Sequence, residues 1–278
     1  MSIVLVHPRT AAQLAQIVTD PPQALIVSGP EGSGKLFVAL NWLQDTLGIS
    51  STNIRVIEPL EKSSITVAQV RDLYHATRSK QSEKQFFVLD GAGSMSIGAQ
   101  NAFLKLLEEP NQAIHFVLTT HTLEDLLPTI RSRAQHIAIT PVQDTALLQH
   151  LQSEHHLEPA VMQQIAFIAK GRVGLATRMA SNPESLETYR GLAAKAKQLL
   201  SGTAFDRMTL LMPFSDRSQA LTFLEIAANM ASTLLQKATR KEDQQLWVNR
   251  IALIHDTLER LSANANLKIQ LTRLALAL

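Results

Sequence analysis

Up to residue 140 the apolar positions alternate between short uninterrupted runs and stretches that recur every three to four residues; beyond it only the second pattern continues. Short apolar runs bounded by turn residues predict buried strands, and the longer spacing predicts amphipathic helices. Strands are expected at 24–27, 54–57, 86–89, 115–118 and 135–139, with helices near 9–18, 36–47, 66–78 and 98–109 between them. That alternation predicts an α/β layer in which crossover helices cover a parallel sheet.

Past Thr140-Pro141 the strand signals stop. Residues 146–155, 160–169 and 174–180 predict a small three-helix unit, and the Ser181-Asn182-Pro183 turn precedes a long helix running toward Leu200. The remainder predicts four or five helices, with Ser201-Gly202 and Pro213 as breaks. Leu267, Leu271, Leu274 and Leu278 place one apolar stripe on the last helix, expected to pack inside its own bundle, with a subunit interface as the sharper reading. The expected domains are 1–140, 141–184 and 185–278.

Composition narrows the function classes. The chain has 278 residues, 45% hydrophobic and 18% charged, enough for a sizeable core. Its 26 Lys plus Arg against 24 Asp plus Glu give no strong field of the kind that marks an autonomous nucleic-acid binder. With no Cys, disulfides and cysteine zinc sites are excluded, so no zinc is expected. Met1 to Val6 is too short for a leader and no window approaches the roughly 20 apolar residues of a membrane span, so the expectation is a cytoplasmic protein without a membrane partner.

The chemistry concentrates in two places. Gly29-Pro30-Glu31-Gly32-Ser33-Gly34-Lys35-Leu36 is a G-x-x-x-x-G-K phosphate loop set between a strand and a helix, whose last position carries Leu36 instead of Ser or Thr. Backbone N–H groups and Lys35 can still cradle phosphate, but Leu36 cannot ligate Mg²⁺. The run 86–90 predicts a buried strand ending in an acid, Asp90, where P-loop proteins support the metal. His150, His155 and His156 lack the spacing of a zinc helix and read as a solvated helix end beside Glu154 and Glu158, while Glu108 and Glu109 read as a helix end.

Four further segments carry a resemblance. Ser96-Ile97-Gly98-Ala99-Gln100-Asn101-Ala102-Phe103-Leu104-Lys105-Leu106-Leu107-Glu108-Glu109-Pro110 closely resembles the signature A-A-N-A-L-L-K-x-L-E-E-P-P of bacterial clamp-loader ATPases. Leu127-Pro128-Thr129-Ile130-Arg131-Ser132-Arg133-Ala134 resembles that family's Ser-Arg-Cys arginine-finger motif, with Ala134 in place of Cys. Residues 65–71 look like its I-x-V-x-x-V/I-R element, and Asn264-Ala265-Asn266-Leu267 is similar to the N-x-N pattern that closes its collar domain.

The resemblance implies an α/β P-loop AAA+ domain followed by all-α lid and all-α collar domains. AAA+ ATPases normally place a water-activating glutamate after the strand-end acid, and here Gly91 stands there. Two losses serving one step, with the arginine motif retained, look like the delta-prime branch of the DNA polymerase III clamp loader, related to gamma/tau. It implies Arg133 as a finger acting in trans on a neighbour's ATP, oriented by Ser132. It also implies a degenerate nucleotide site at Gly29, Gly32, Ser33, Gly34, Lys35, Asp90, Thr120 (or Thr119) and Arg178 as second sensor, with Arg172 nearby. No cofactor is required, and weak ATP or ADP binding is left open. The implied partners are the delta and gamma/tau subunits in a hetero-oligomeric ring joined by the collar and, indirectly, the sliding clamp and primed DNA. The family's four-cysteine module is absent from 49–64. The alternatives are a hydrolysing gamma/tau-like ATPase and a nucleotide-binding regulatory module outside replication.

Overall fold

A computed structural model describes residues 5–60, 64–77, 83–108 and 111–278. Residue 78, at the end of one expected helix, and Glu109-Pro110, the end of the signature, lie outside the described residues. The chain divides into two compact units, the first ending at Ser181 and the second running Asn182–Leu278.

The first unit is built on five parallel strands: β1 (Ala24–Ser28), β2 (Ile54–Ile57), β3 (Gln85–Leu89), β4 (Ile114–Thr120) and β5 (Gln135–Ala138). They lie in the order β2-β3-β4-β1-β5. Every residue of β1 and β4 is buried, as the uninterrupted apolar runs require of strands covered on both faces. Period-two alternation splits the core. Ile26, Phe87, Leu89, Phe116 and Leu118 face the apolar sides of α3 (Val67–Thr77) and α4 (Ile97–Glu108). Leu25, Val27, Phe86, Val88, Val117 and Ile137 face α1 (Pro8–Gln16) and α2 (Lys35–Asn41).

The helix expected over 36–47 is α-helical only to Asn41. Residues Trp42–Thr46 continue it as one π-helical turn that buries Trp42 and Leu43. Gly48, in the left-handed region at φ 68°, then ends the run. The motif over 65–71 is explained locally: Ile65 and Val70 are core, and Thr66 caps α3, its Oγ1 accepting from the Gln69 N–H while Gln69 Oε1 accepts from the Thr66 N–H. The short α5 (Pro128–Arg131) precedes β5. Three more helices, α6 (Asp144–Glu154), α7 (Pro159–Ala169) and α8 (Val173–Ser181), complete the first unit.

The second unit is all helix: α9 (Pro183–Ser201), α10 (Ala204–Leu211), α11 (Arg217–Lys237), α12 (Lys241–Ser262) and α13 (Leu267–Ala277). Leu271 and Leu274 are buried within this unit, whereas Ile269 and Leu276 on other faces of α13 are exposed. The N-x-N pattern acts as turn chemistry. Asn264 takes a left-handed backbone, φ 63°, and the Asn266 side chain caps α13 by accepting from the Ile269 N–H. Among the described residues no helix is long and apolar enough to cross a membrane.

Candidate functional site

β1 delivers the chain at Ser28 into the glycine loop, and α2 leaves it at Lys35. Gly32 and Gly34 sit in the left-handed region at φ 77° and 83°, which a side chain would strain. Lys35 Nζ donates to the Gly29 carbonyl at 2.8 Å and to the Pro30 carbonyl at 3.1 Å, so the ammonium spans the mouth of its own loop. Burial lowers its pKa from 10.5, opposed by the charges of Asp90, Glu31 and Asp125. Ser33 is buried with its hydroxyl unpartnered.

The loop borders a cavity of about 450 Å³ lined by Gly32, Gly34, Lys35, Leu36, Asp90, Thr119, Thr120, Gly174 and Arg178, among others. The sequence-predicted residues Gly32, Gly34, Lys35, Asp90, Thr120 and Arg178 therefore meet at one place. Gly29 contributes its carbonyl to Lys35, and Ser33 lines a neighbouring cavity instead. Most polar groups here are held by their own chain. Thr119 Oγ1 donates to Asp90 Oδ1 at 2.5 Å and accepts from the Gly91 N–H at 2.8 Å. Thr120 Oγ1 faces Asp125 Oδ2 at 3.0 Å, packed so closely on Gly93 that a Cβ there would lie 2.5 Å from it. Leu36 has no oxygen for a metal and Gly91 no carboxylate to take a proton from water. Among the described residues no group of three or more His, Asp and Glu side chains could hold a metal ion.

A third element enters from α8. The Leu175 N–H donates to the Gly32 carbonyl at 2.7 Å, and a Cβ on Gly174 would lie 2.9 Å from both the Gly32 oxygen and the Gly34 nitrogen. Gly174, not Arg178, is thus the α8 residue seated on the loop; Arg178 lines the cavity one turn further on. Arg172 is buried and caps α7 through the Ala169 and Ile168 carbonyls. Asp125 and Leu175 escape the sequence reading, Gly174 enters it only as the start of a helix, and Thr119 enters it as the alternative to Thr120. Only the spacing of Gly171 and Gly174 at a helix start signals a close backbone approach.

Arg133 lies at the other end of the sheet. β5 runs parallel to β1 with Gln135 beside Leu25 and Ala138 beside Ser28. Arg133 precedes the first of these pairs and the phosphate loop follows the last. They are separated by four residues of strand, roughly 13 Å at ~3.3 Å per residue, along the sheet. The guanidinium donates to the Thr129 carbonyl at 3.2 Å and to Glu108 Oε1 at 3.3 Å, and remains 41% exposed. Ser132 Oγ donates to the same Thr129 carbonyl at 3.1 Å, so it steadies the turn that carries Arg133. The signature helix α4 steadies the chain before it: buried Gln100 donates to the Met95 and Asp125 carbonyls and accepts from the Leu127 N–H.

Residues 48–143 match the family profile described as "DNA polymerase III, delta subunit". The chain is 28% identical over 186 residues to DNA polymerase III subunit delta' of Bacillus subtilis, covering 59% of this chain and 56% of that protein. It is 26% identical over 260 residues to DNA polymerase III subunit tau of Escherichia coli, covering 84% of this chain and 39% of that protein. The chain spans about half the length of the curated delta' relatives it matches. Among solved structures, RuvB of Thermotoga maritima aligns with a TM-score of 0.50 at 15% identity, over 63% of this chain and 61% of that one, a likeness of fold alone. With the phosphate loop, the signature helix and the five-stranded parallel sheet in place, the chain is similar, through the profile over residues 48–143 and the delta' relatives, to the clamp-loader delta' subunits of DNA polymerase III.

Proposed function

We propose that the chain acts as the delta-prime-type subunit of a clamp loader, helping to load a sliding clamp onto primed DNA in the cytoplasm. In this reading it contributes no hydrolysis of its own and offers Arg133 to ATP bound by a neighbouring gamma/tau subunit. The observation that carries it is the opposition of the two motifs on the sheet. Arg133 is exposed and lies a strand's length from its own phosphate loop, so it can serve a phosphate only across a subunit boundary. A guanidinium supplied in that way stabilises charge developing on the transferring phosphoryl group. Leu36 and Gly91 support the other half, since each removes a group that metal-assisted attack by water needs.

Division of labour follows the three expected domains. Residues 1–140 carry the arginine and a degenerate nucleotide site, 141–184 form the lid, and 185–278 the collar through which the ring with delta and gamma/tau subunits assembles. The deciding experiment replaces Arg133 with Ala and measures DNA-stimulated ATP hydrolysis by the complex reassembled with delta, gamma/tau, clamp and primed DNA. The expected result is normal assembly with much slower turnover. Unchanged turnover in a fully assembled ring overturns the reading.

A further inference from the structure

The last turn of α9 gathers more positive charge than capping requires. Arg207 of α10 donates through Nε to the Leu199 carbonyl at 3.0 Å, and Arg250 of α12 donates through Nη1 to the next carbonyl, Leu200, at 2.6 Å. A helix C-terminus attracts a cation, but two cations on consecutive carbonyls repel each other. Burial and the charge of Arg207 both press the Arg250 pKa below its ordinary value. Among the described residues neither guanidinium pairs with a carboxylate, whereas Arg260 and Arg273 share Asp256.

Donors are left over at this place. A guanidinium carries five N–H groups and no acceptor, and each of these two makes one hydrogen bond within the described residues. Arg217, which caps α12, spends two nitrogens on the Leu261 and Ala265 carbonyls. Arg207 is only 8% exposed, and Arg250 Nε is buried with no partner. Trp247, one turn earlier on α12, has its ring centroid 5.1 Å from Arg250 Cζ, a cation–π contact that helps to hold the fork in place. Partly buried cations without a counter-ion are costly, and the group that supplies both acceptors and negative charge is an oxyanion.

We propose that Arg207 and Arg250 form a phosphate site in the second unit, where a phosphate dianion, free or at the end of a phosphomonoester, bridges the two guanidiniums beside the last turn of α9. Its two charges match the two cations, and its several oxygens can accept from both forks at once. A carboxylate brings one charge only. A nucleic-acid phosphodiester also brings one, on a chain too bulky for a guanidinium that is 8% exposed. The bound anion joins α9, α10 and α12 and stabilises the second unit according to its occupancy. The site shares no residue with the phosphate loop, which belongs to the first unit.

Inorganic phosphate titrated into the full chain tests it, at mildly alkaline pH with sodium chloride holding the ionic strength constant. Every protein carries Lys35→Ala, so that the phosphate loop contributes little to the reading. The signals are thermal melting and the emission of Trp247, whose only companion, Trp42, lies in the core of the first unit. The expected result is a saturable change in emission and a raised melting temperature, with affinity about tenfold or more weaker in Arg250→Gln. Arg260→Gln, on the exposed face of the same helix, serves as the control and should bind as the parent does.

Emission and melting that respond no more to phosphate than to chloride overturn the site, as does equal affinity in the parent and Arg250→Gln. Acetate or dimethyl phosphate bound as tightly as phosphate would overturn the assignment to a dianion. Glycerol 3-phosphate bound like phosphate supports a phosphomonoester as the ligand, and its exclusion supports free phosphate. Should Arg250→Gln fail to fold by circular dichroism, Arg250→Lys keeps the cation at the end of α9 and removes the fork. The same loss of affinity is expected there, and its absence again overturns the site.

Discussion

The two ends of one parallel sheet have been treated in opposite ways. At the end where the strands deliver the phosphate loop, polar groups turn inward: Lys35 to the Gly29 and Pro30 carbonyls, Asp90 to Thr119, Thr120 to Asp125, and the Gly32 carbonyl to Leu175. At the end where β5 begins, Arg133 stays in solvent with one carbonyl and one exposed carboxylate for company. A buried polar group that gains an internal partner loses its need for a ligand, whereas an exposed guanidinium keeps most of its five donors for one. Under the proposed function, the difference means that one edge of the fold loses a reaction while the other retains a contribution to the same reaction, because the two share only the sheet.

The comparison breaks most severely if the two cations are exchanged in importance. In the reassembled complex, Arg133→Lys keeps the charge but loses the planar fork, and turnover at the site it serves should fall by about 10³-fold. Lys35→Ala, at the inward-turned end, should leave turnover of the complex within about twofold, since each 1.4 kcal/mol of barrier is worth a factor of ten and no barrier is assigned to Lys35. Steady-state hydrolysis measured side by side decides it. Loss of turnover in the Lys35 variant with retention in the Arg133 variant would invert the assignment.

A second break acts through the scaffold. Gln100→Leu removes a buried amide that satisfies the Met95 and Asp125 carbonyls and the Leu127 N–H, leaving backbone groups unpaired just ahead of α4 and of α5. Each orphaned buried group costs on the order of 1–3 kcal/mol, so a loss of about 2–4 kcal/mol in denaturant unfolding of the first unit is expected. Because the loosened segment leads to Arg133, turnover of the complex should fall with it, while Lys35 and its loop are unaffected.

The contrast between these residues also shows what the sequence could and could not disclose. The central strands β1, β3 and β4 were legible because their runs are apolar on both faces, as a parallel sheet under helices demands, whereas the edge strands β2 and β5 are largely exposed and carry shorter apolar runs. Gly29, Gly34 and Lys35 were legible because a motif fixes their spacing, and Asp90 because it ends an apolar run. The π turn at Trp42–Thr46 was not, since its apolar spacing still reads as an α-helix. Thr119 and Thr120 adjoin at the end of β4, and only register tells which side chain meets Asp90. Gly174 and Leu175 act through backbone atoms, which leave no signature in side-chain chemistry. Gln100 was visible only as part of the signature, and its partners are main-chain groups, two of them far along the chain.

Acid sharpens the comparison within the core that both ends share. His115 is buried on β4 beneath Phe86, its ring centroid 4.8 Å away, with Nδ1 3.0 Å from the Pro22 carbonyl and Nε2 unpartnered. A carbonyl only accepts, so Nδ1 carries the proton and protonation must occur at the dry Nε2. Burial holds the pKa below 6.5, opposed by the bond to Pro22; nearby Lys84 lowers it further and Asp20 raises it. The unfolded chain therefore binds a proton more readily, and stability is full above about pH 6.5 and falls as pH drops through and below that value. His136, bonded to Ser28 Oγ, and His150 are lowered in the same sense and add to the slope. Thermal melts of the parent and of His115→Phe between pH 7.5 and 5.5 should show a shallower decline in the variant; parallel curves would assign the slope to the other two histidines.

The smallest expected effect concerns the carboxylate beside the finger. Glu108 pairs with Arg133 at 3.3 Å with both side chains well exposed, 52% and 41%. Exposed pairs of this kind contribute about 0–1 kcal/mol and are screened by salt, so Glu108→Gln should leave unfolding of the isolated chain within about 0.5 kcal/mol. Its consequence for turnover depends on whether Arg133 needs Glu108 to hold its direction or must leave it to meet a phosphate. The neighbour's phosphate carries more negative charge than one carboxylate and would draw the guanidinium away, which makes Glu108 a resting partner. On that argument Glu108→Gln should leave turnover of the complex unchanged or raise it by up to about twofold, the direction expected when a competing ground-state contact of well under 1 kcal/mol is removed. A fall comparable to that of Arg133→Lys would instead make Glu108 part of the productive geometry, and the outward-facing end of the sheet would then be as internally ordered as the inward-facing one.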